Sequence, residues 1–377
     1  MKLLSLAALA VIGIGGSFAF LPAMALMFLM PAIAFAQPSR RTAFLAAFTY
    51  YAGASWAIIP AIRNFFGPDA GPVSGLLLWL TASTLLALPW PLVWSANRRQ
   101  AFWRIPAGII LAVLPPLGII GWASPLLSAG LLFPGTAWLG LAATLAVPAW
   151  LVTNPRLAAA ATMLLAVCAN LVFPGAPKLP AGWEAVDTNL ESGTALADFQ
   201  SAQWLQQRAL ASRAIVVIFP ESVVPKWTEA TEAFWQPTLT ALRERGKTVV
   251  LGVCTPHTGE PGYVNRALIA GAEAGSFTQR VPVPLGMWKP LSVGGVPLNP
   301  FASATVRIRA RRAAVLICYE QLLPWPVLSS LVARPEVLLG MANDRWARST
   351  PIPRCQAATL WTWSRLFALP TLSATNY

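Results

Sequence analysis

From Met1 to Ala176 the chain carries one acidic residue, Asp69, against eight basic ones, in a background rich in Leu, Ala, Trp and Phe. Soluble domains draw about a quarter of their residues from Asp, Glu, Lys and Arg, so this half cannot present an ordinary hydrated surface. Its apolar runs fall at residues 3–36, 42–62, 74–96, 106–133, 136–152 and 157–173. Most approach or exceed the ~20 residues that a helix needs to cross a bilayer. The first run, 34 residues from Leu3 to Ala36, is too long for the apolar core of a secretory signal. It reads as two spans hinged near Gly15-Gly16. About seven spans are therefore expected. The stretch 106–133, broken by Pro115-Pro116 and Pro125, reads as one kinked span or as a span with a re-entrant piece.

Loop charges then set an orientation. Lys2, Arg40 with Arg41, Arg98 with Arg99 and Arg104, and Arg156 fall in alternate loops, while the intervening loops hold only Arg63, offset by Asp69. Basic residues gather on the cytoplasmic side, so the N-terminus is expected inside. An odd number of spans then leaves everything after Phe173 outside the cytoplasm. Of the net charge of +13, +7 falls in this half, where it follows the loop pattern, and +6 in the remainder; no direct nucleic-acid partner is expected.

The remainder has a different character, with 19 basic and 13 acidic residues. Pro174-Gly-Ala-Pro-Lys-Leu-Pro180 reads as part of a linker, giving a membrane domain over 1–173, a linker over 174–182 and a second domain over 183–377. In the second domain short β-branched runs alternate with amphipathic segments. Strands are expected at 183–189, 214–219, 248–254, before Cys318, at 336–340 and at 372–375. Helices are expected at 197–211, 230–245, 322–331 and 356–369. That alternation is an α/β layer architecture.

Two of these strands end on reactive side chains. Ala214-Ile-Val-Val-Ile-Phe-Pro-Glu221 delivers a carboxylate, and Ala314-Val-Leu-Ile-Cys-Tyr-Glu320 delivers the Cys318 thiol with a second acid close behind. A thiol and a carboxylate presented at strand tips suit a nucleophile and its base. The chain has one histidine, His257, in the turn-rich stretch Thr255-Pro-His-Thr-Gly259, which reads as a loop. Zinc sites built on histidine pairs are excluded. The four cysteines show no C-x-x-C spacing, so neither a metal site nor a disulfide framework is indicated. No cofactor is expected.

These residues resemble the nitrilase, or carbon–nitrogen hydrolase, superfamily, an α-β-β-α sandwich with a Glu-Lys-Cys triad. Phe219-Pro-Glu-Ser222 is similar to its glutamate motif, Leu316-Ile-Cys-Tyr-Glu320 to its nucleophile motif, and Ala342-Asn-Asp-Arg-Trp346 with Gln356 to a segment past the cysteine. The membrane half narrows the resemblance to the apolipoprotein N-acyltransferase branch and, within it, to proteins of plasmid conjugal transfer. The resemblance implies a bacterial inner-membrane, multi-pass protein with a periplasmic C-terminal domain. It implies acyl transfer through a Cys318 thioester, with Glu221 as base and Glu320 as a second carboxylate. A membrane lipid would be the acyl donor, and an amine on an envelope protein or small molecule the acceptor. An acid at the start of a helix can also be purely structural, and that alternative for Glu320 stands beside the first.

The sequence departs from the pattern at one point. In Phe277-Thr-Gln-Arg-Val-Pro-Val-Pro-Leu-Gly-Met287, Gln279 occupies the position of the family lysine and Met287 that of a following acid, with Arg280 and Lys289 nearby. An amide donates a hydrogen bond but brings no charge. The alternatives are an acyltransferase, an amide hydrolase in which water replaces the amine, and a membrane scaffold of the conjugation machinery that keeps the fold without the chemistry.

Overall fold

The computed structural model describes residues 2–67, 71–175, 177–257, 262–292 and 294–377. Asp69, Thr258 and Gly259 lie outside the described residues. The chain forms two compact bodies. One comprises Met1–Pro177, Leu322–Trp325 and Trp346–Leu369, and the other Lys178–Gln321, Pro326–Arg345 and Pro370–Tyr377.

The first body is helical. Among the described residues two helices, Val73–Val93 and Pro155–Val172, are long and apolar enough to cross a membrane. A third crossing is available if the bent pair Arg40–Ser55 and Ile58–Phe66 counts as one. The helices Leu3–Ser17 and Trp138–Thr153 are apolar but shorter. Seven full-length spans are therefore not found. The proline-rich runs break into short pieces, such as Leu21–Leu26 followed by Leu29–Phe35, because proline removes an N–H and clashes with the preceding turn. The 106–133 run likewise divides into the end of Ala101–Val113, two single 3₁₀ turns and Ser128–Leu132.

Small residues allow these helices to approach closely. A Cβ on Gly13 would lie 2.3 Å from the Tyr50 carbonyl oxygen, and one on Gly53 2.8 Å from that of Ala10. Polar side chains inside the body bond across helices, as polar groups in apolar surroundings must. Tyr50 Oη donates to the Ala123 carbonyl at 2.7 Å, and Trp122 Nε1 to Ser55 Oγ at 3.0 Å. The outer surfaces stay apolar: on Pro155–Val172, Leu171 and Val172 are each 80% exposed.

The second body is α/β, as the alternation predicts. One sheet runs β1 (Trp183–Ala185), β2 (Val216–Ile218), β3 (Thr248–Pro256), β4 (Tyr263–Gly271) and β5 (Gly275–Thr278), parallel from β1 to β3 and antiparallel beyond. The other runs β6 (Val306–Ile308), β7 (Arg311–Ile317), β8 (Val337–Asn343) and β9 (Thr371–Asn376), with β7, β8 and β9 parallel. Alternation along each strand sends every second side chain to one face. Val216, Ile218 and Val250 meet Ala313, Val315, Ile317, Leu339 and Met341 in a core between the sheets. Val217, Val249 and Leu251 point the other way, onto Leu205, Trp235 and Leu239 of the helices Ala195–Ala211 and Glu229–Glu244. Those helices are capped by Thr194 and Thr228, each accepting from a backbone N–H three residues on, the usual satisfaction of an orphan donor.

Candidate active site

β2 and β7 belong to different sheets, and the residues that follow them, Glu221 and Cys318, come together. Cys318 follows β7 directly, with φ +50°, and the chain turns at once into the 3₁₀ segment Cys318–Leu322. A non-glycine residue in this region costs of order 1–3 kcal/mol and persists where the surroundings enforce it. The turn presents the thiol at the strand tip. Glu221 lies three residues past β2, followed by Ser222 at φ +51°. Its loop lies flat on β3 because position 252 is glycine: a Cβ there would stand 2.1 Å from the Pro220 carbonyl oxygen and 2.5 Å from Glu221 Cα.

The two side chains meet. The Glu221 carboxylate and the Cys318 thiol share a hydrogen bond, and both residues are 4% exposed. Glu221 Oε1 also accepts from Asn265 Nδ2 at 2.6 Å, and Oε2 from the Asn343 backbone N–H at 3.0 Å. All its hydrogen-bond partners are neutral. Burial accordingly outweighs these bonds and raises the Glu221 carboxyl to about 7. Burial and the nearby carboxylates push the Cys318 thiol well above its ordinary value, against which the Tyr319 backbone N–H acts weakly. The resting pair is therefore a thiol beside a carboxyl that titrates near neutrality, which suits a base that must take and return a proton.

Gln279 sits in the same network. Its Oε1 accepts from Asn265 Nδ2 at 3.2 Å, and its Nε2 donates to the Ile317 carbonyl at 3.1 Å. The amide thus ties Ile317, the residue before Cys318, to Asn265, the partner of Glu221, without charge. Neither neighbouring cation takes its place in this network. Arg280 turns its guanidinium to Glu320 at 3.3 Å and to Ser329 at 3.1 Å, and Lys289 is exposed.

Glu320 is fully buried. Oε1 accepts from the backbone N–H groups of Arg280 at 2.7 Å and Val281 at 3.1 Å, and Oε2 from that of Ile317 at 3.0 Å. The carboxylate thereby pins the loop after β5 to the end of β7. Its contacts are those of a brace between two site segments.

Asn265 and Asp344 were not singled out from sequence. Asn265 sits mid-strand on β4, where its only cue is a polar residue inside an apolar run. Asp344 belongs to the quoted Ala342–Trp346 segment and is 2% exposed. Burial, then the Glu221 charge, raises its carboxyl to about 7. Of the other cysteines, Cys168 is exposed, and Cys254 and Cys355 are half-buried. Cys254 is pushed up to about 11, chiefly by burial. No cluster of three or more His, Cys, Asp or Glu suited to a metal occurs among the described residues.

No protein-family model matches the chain. It is 33% identical to the conjugal transfer protein TraB of Agrobacterium fabrum, over 92% of this chain and 86% of that protein. It is also 33% identical to the probable conjugal transfer protein TraB of Sinorhizobium fredii, over 100% of this chain and 98% of that one. An apolipoprotein N-acyltransferase of Azotobacter vinelandii is 30% identical over 82% of this chain and 70% of its own length. Among solved structures, an amidase of the nitrilase superfamily from Nesterenkonia aligns with a TM-score of 0.34 at 12% identity, over 52% of this chain and 78% of its own. The chain belongs to the family of the TraB conjugal transfer proteins and the apolipoprotein N-acyltransferases.

Proposed function

We propose that the protein is a membrane-anchored acyltransferase that works through a Cys318 thioester and serves plasmid conjugal transfer. The observation that carries this reading is the buried hydrogen bond between the Glu221 carboxylate and the Cys318 thiol. Glu221 takes the thiol proton as sulfur attacks the carbonyl of an acyl ester. The C–S bond forms, the C–O bond breaks, and the proton passes from Glu221 to the departing alkoxide. An amine then attacks the thioester and gives its proton to Glu221. The C–N bond forms, the C–S bond breaks, and the thiol is restored.

A lipid is the donor that fits a chain whose first body exposes so much apolar helix surface. The acceptor is an amine on an envelope protein or a small molecule. The chain would sit in the bacterial inner membrane, with its second body on the periplasmic side. The link to conjugation rests on the two TraB relatives.

Labelling with a phospholipid carrying a tagged acyl chain tests the assignment. Cys318 should be captured as a thioester, and Glu221→Gln should reduce capture on the order of 10²-fold, the usual scale of general-base loss. A tag found on Cys168, Cys254 or Cys355, with Cys318 unmodified, would refute it. One observation favours a second reading, a scaffold without chemistry: the charged donor of the family is an amide here, Gln279. Conjugation frequency unchanged by Cys318→Ala would establish the scaffold instead.

A further inference from the structure

Asp344 is a buried acid that the reaction scheme above does not use. It lies one residue past the end of β8, and β8 pairs with β7 in parallel, with Met341 beside Ile317. Asp344 and Cys318 therefore emerge from neighbouring strands at the same edge. The backbone holds it there: the Asp344 N–H donates to the Asn376 carbonyl at 2.8 Å, while the preceding N–H, of Asn343, bonds Glu221. The side chain is 2% exposed, and its Oδ1 has no hydrogen-bond partner among the described residues. A buried carboxylate left so is costly, whereas a protonated carboxyl is tolerated.

Among the described residues no cation is found to offset it, burial and the Glu221 charge being what act on it. The titratable groups that act on Asp344 and are acted on by it are Glu221 and Cys318. Behind Glu221 stand Glu320, already paired with Arg280, and Cys254. Arg345, next in sequence, turns to the carbonyl of Leu190 at 2.9 Å. Two carboxyls in one low-dielectric pocket, Glu221 bonded only to neutral donors and Asp344 Oδ1 to none, cannot both ionise readily, and the proton they retain belongs to the pair.

We propose that Asp344 is a positioning residue that sets the proton count of the site, holding a proton while Glu221 is ionised and ready to receive the one from Cys318. Gln279, in place of a lysine, makes this arrangement necessary, because the negative charge of the base has no fixed positive partner. The inference rests on the reading of Cys318 and Glu221 as nucleophile and base.

The test is alkylation of Cys318 by iodoacetamide in the full-length, detergent-solubilised protein, followed across pH by mass spectrometry of the Cys318 peptide. Asp344→Asn and Asp344→Ser both make the neutral state permanent, and the second keeps the test available if the first does not fold. Each should leave the alkylation rate near neutral pH unchanged, because Asp344 is already uncharged there, and should lower the pH midpoint by about one unit, because at higher pH the wild-type carboxyl ionises and opposes the thiolate. A rate raised at neutral pH as well would show Asp344 ionised throughout and overturn the proposal. The plateau rate at high pH should stay unchanged. A midpoint that is unmoved or raised in the folded variants overturns the proposal and leaves Cys318 standing as the nucleophile. A changed plateau with an unmoved midpoint shows a structural role and overturns it equally. If Cys318 resists alkylation at every pH while other cysteines react, the nucleophile reading falls and the proposal falls with it.

Discussion

At the scale of single residues, the proposed nucleophile Cys318 and proposed base Glu221 depend on one proton that both can hold. Because the Glu221 carboxyl is raised to about 7, its base form appears only as the pH climbs through that value. Acyl capture by Cys318 should therefore rise with pH between about 6 and 8, and fall roughly tenfold per unit on the acid side, as for any reaction needing one ionised group. Capture rates across this range, with an acyl donor that does not itself titrate, check the sign. A flat profile would mean that Glu221 is not the base. Gln279→Lys would place a cation against this pair. A charged donor is worth on the order of 10²–10³ in rate where it meets developing charge, so capture should rise and its midpoint should move to lower pH. Cys318 and Glu221 were legible in sequence because each closes a β-branched run. Gln279 was legible only by family resemblance. Asn265 and Asp344 escaped because the contacts that matter to them cross between strands, where sequence spacing carries no information.

At the scale of elements, what positions the base is a loop lying against a strand. Gly252 lets the Pro220–Ser222 segment lie on β3 with almost no clearance. Gly252→Ala adds a methyl group against backbone atoms that cannot rotate away, so the loop must lift. Overpacking of this kind costs about 1–3 kcal/mol, and here the displaced residue is the proposed base, Glu221. The expected outcome is a fall in thermal stability together with a loss of acyl capture at least as deep as that of Glu221→Gln. Full capture in Gly252→Ala would show that the loop tolerates the shift. The elements that the sequence delimits in the second body agree to within a few residues, as the helix expected at 230–245 and found at Glu229–Glu244 illustrates, whereas β4, β5 and β6 received no bounds. The first strand was overestimated: it was expected to reach Asn189 and stops at Ala185, because the chain then leaves the β2 edge and Thr188 bridges to Asn376. Periodicity also could not show that the helix Ile352–Phe367 packs against Ser128–Leu132, where Gly130 meets the Thr362 carbonyl. An apolar stripe states that a face is buried, not by what.

At the scale of the whole molecule, the side on which the proposed membrane protein would place Cys318 depends on the parity of its crossings. The sequence suggests about seven spans, whereas two or three helices among the described residues meet the length and composition of a crossing. The difference arises where proline divides an apolar run into helices too short to span, which leaves composition unchanged but not geometry. The three-span count, with Arg40–Ser55 and Ile58–Phe66 as one bent crossing, keeps the charge pattern that motivated the larger number. Arg40 and Arg41 precede that crossing. Arg98, Arg99 and Arg104 follow the second, Val73–Val93, and Arg156 opens the third, Pro155–Val172. Each basic group then lies on one side, as the positive-inside preference requires. Three and seven are both odd, so either count carries the chain out of the cytoplasm before Lys178, whereas two straight spans alone would return it. Alkaline phosphatase, which is active only outside the cytoplasm, discriminates between them when fused after Arg104 and after Lys178. Activity at Lys178 alone is expected. Silence at both sites would leave two crossings and a cytoplasmic active site, and with it the lipid donor would have to be met from the inner leaflet.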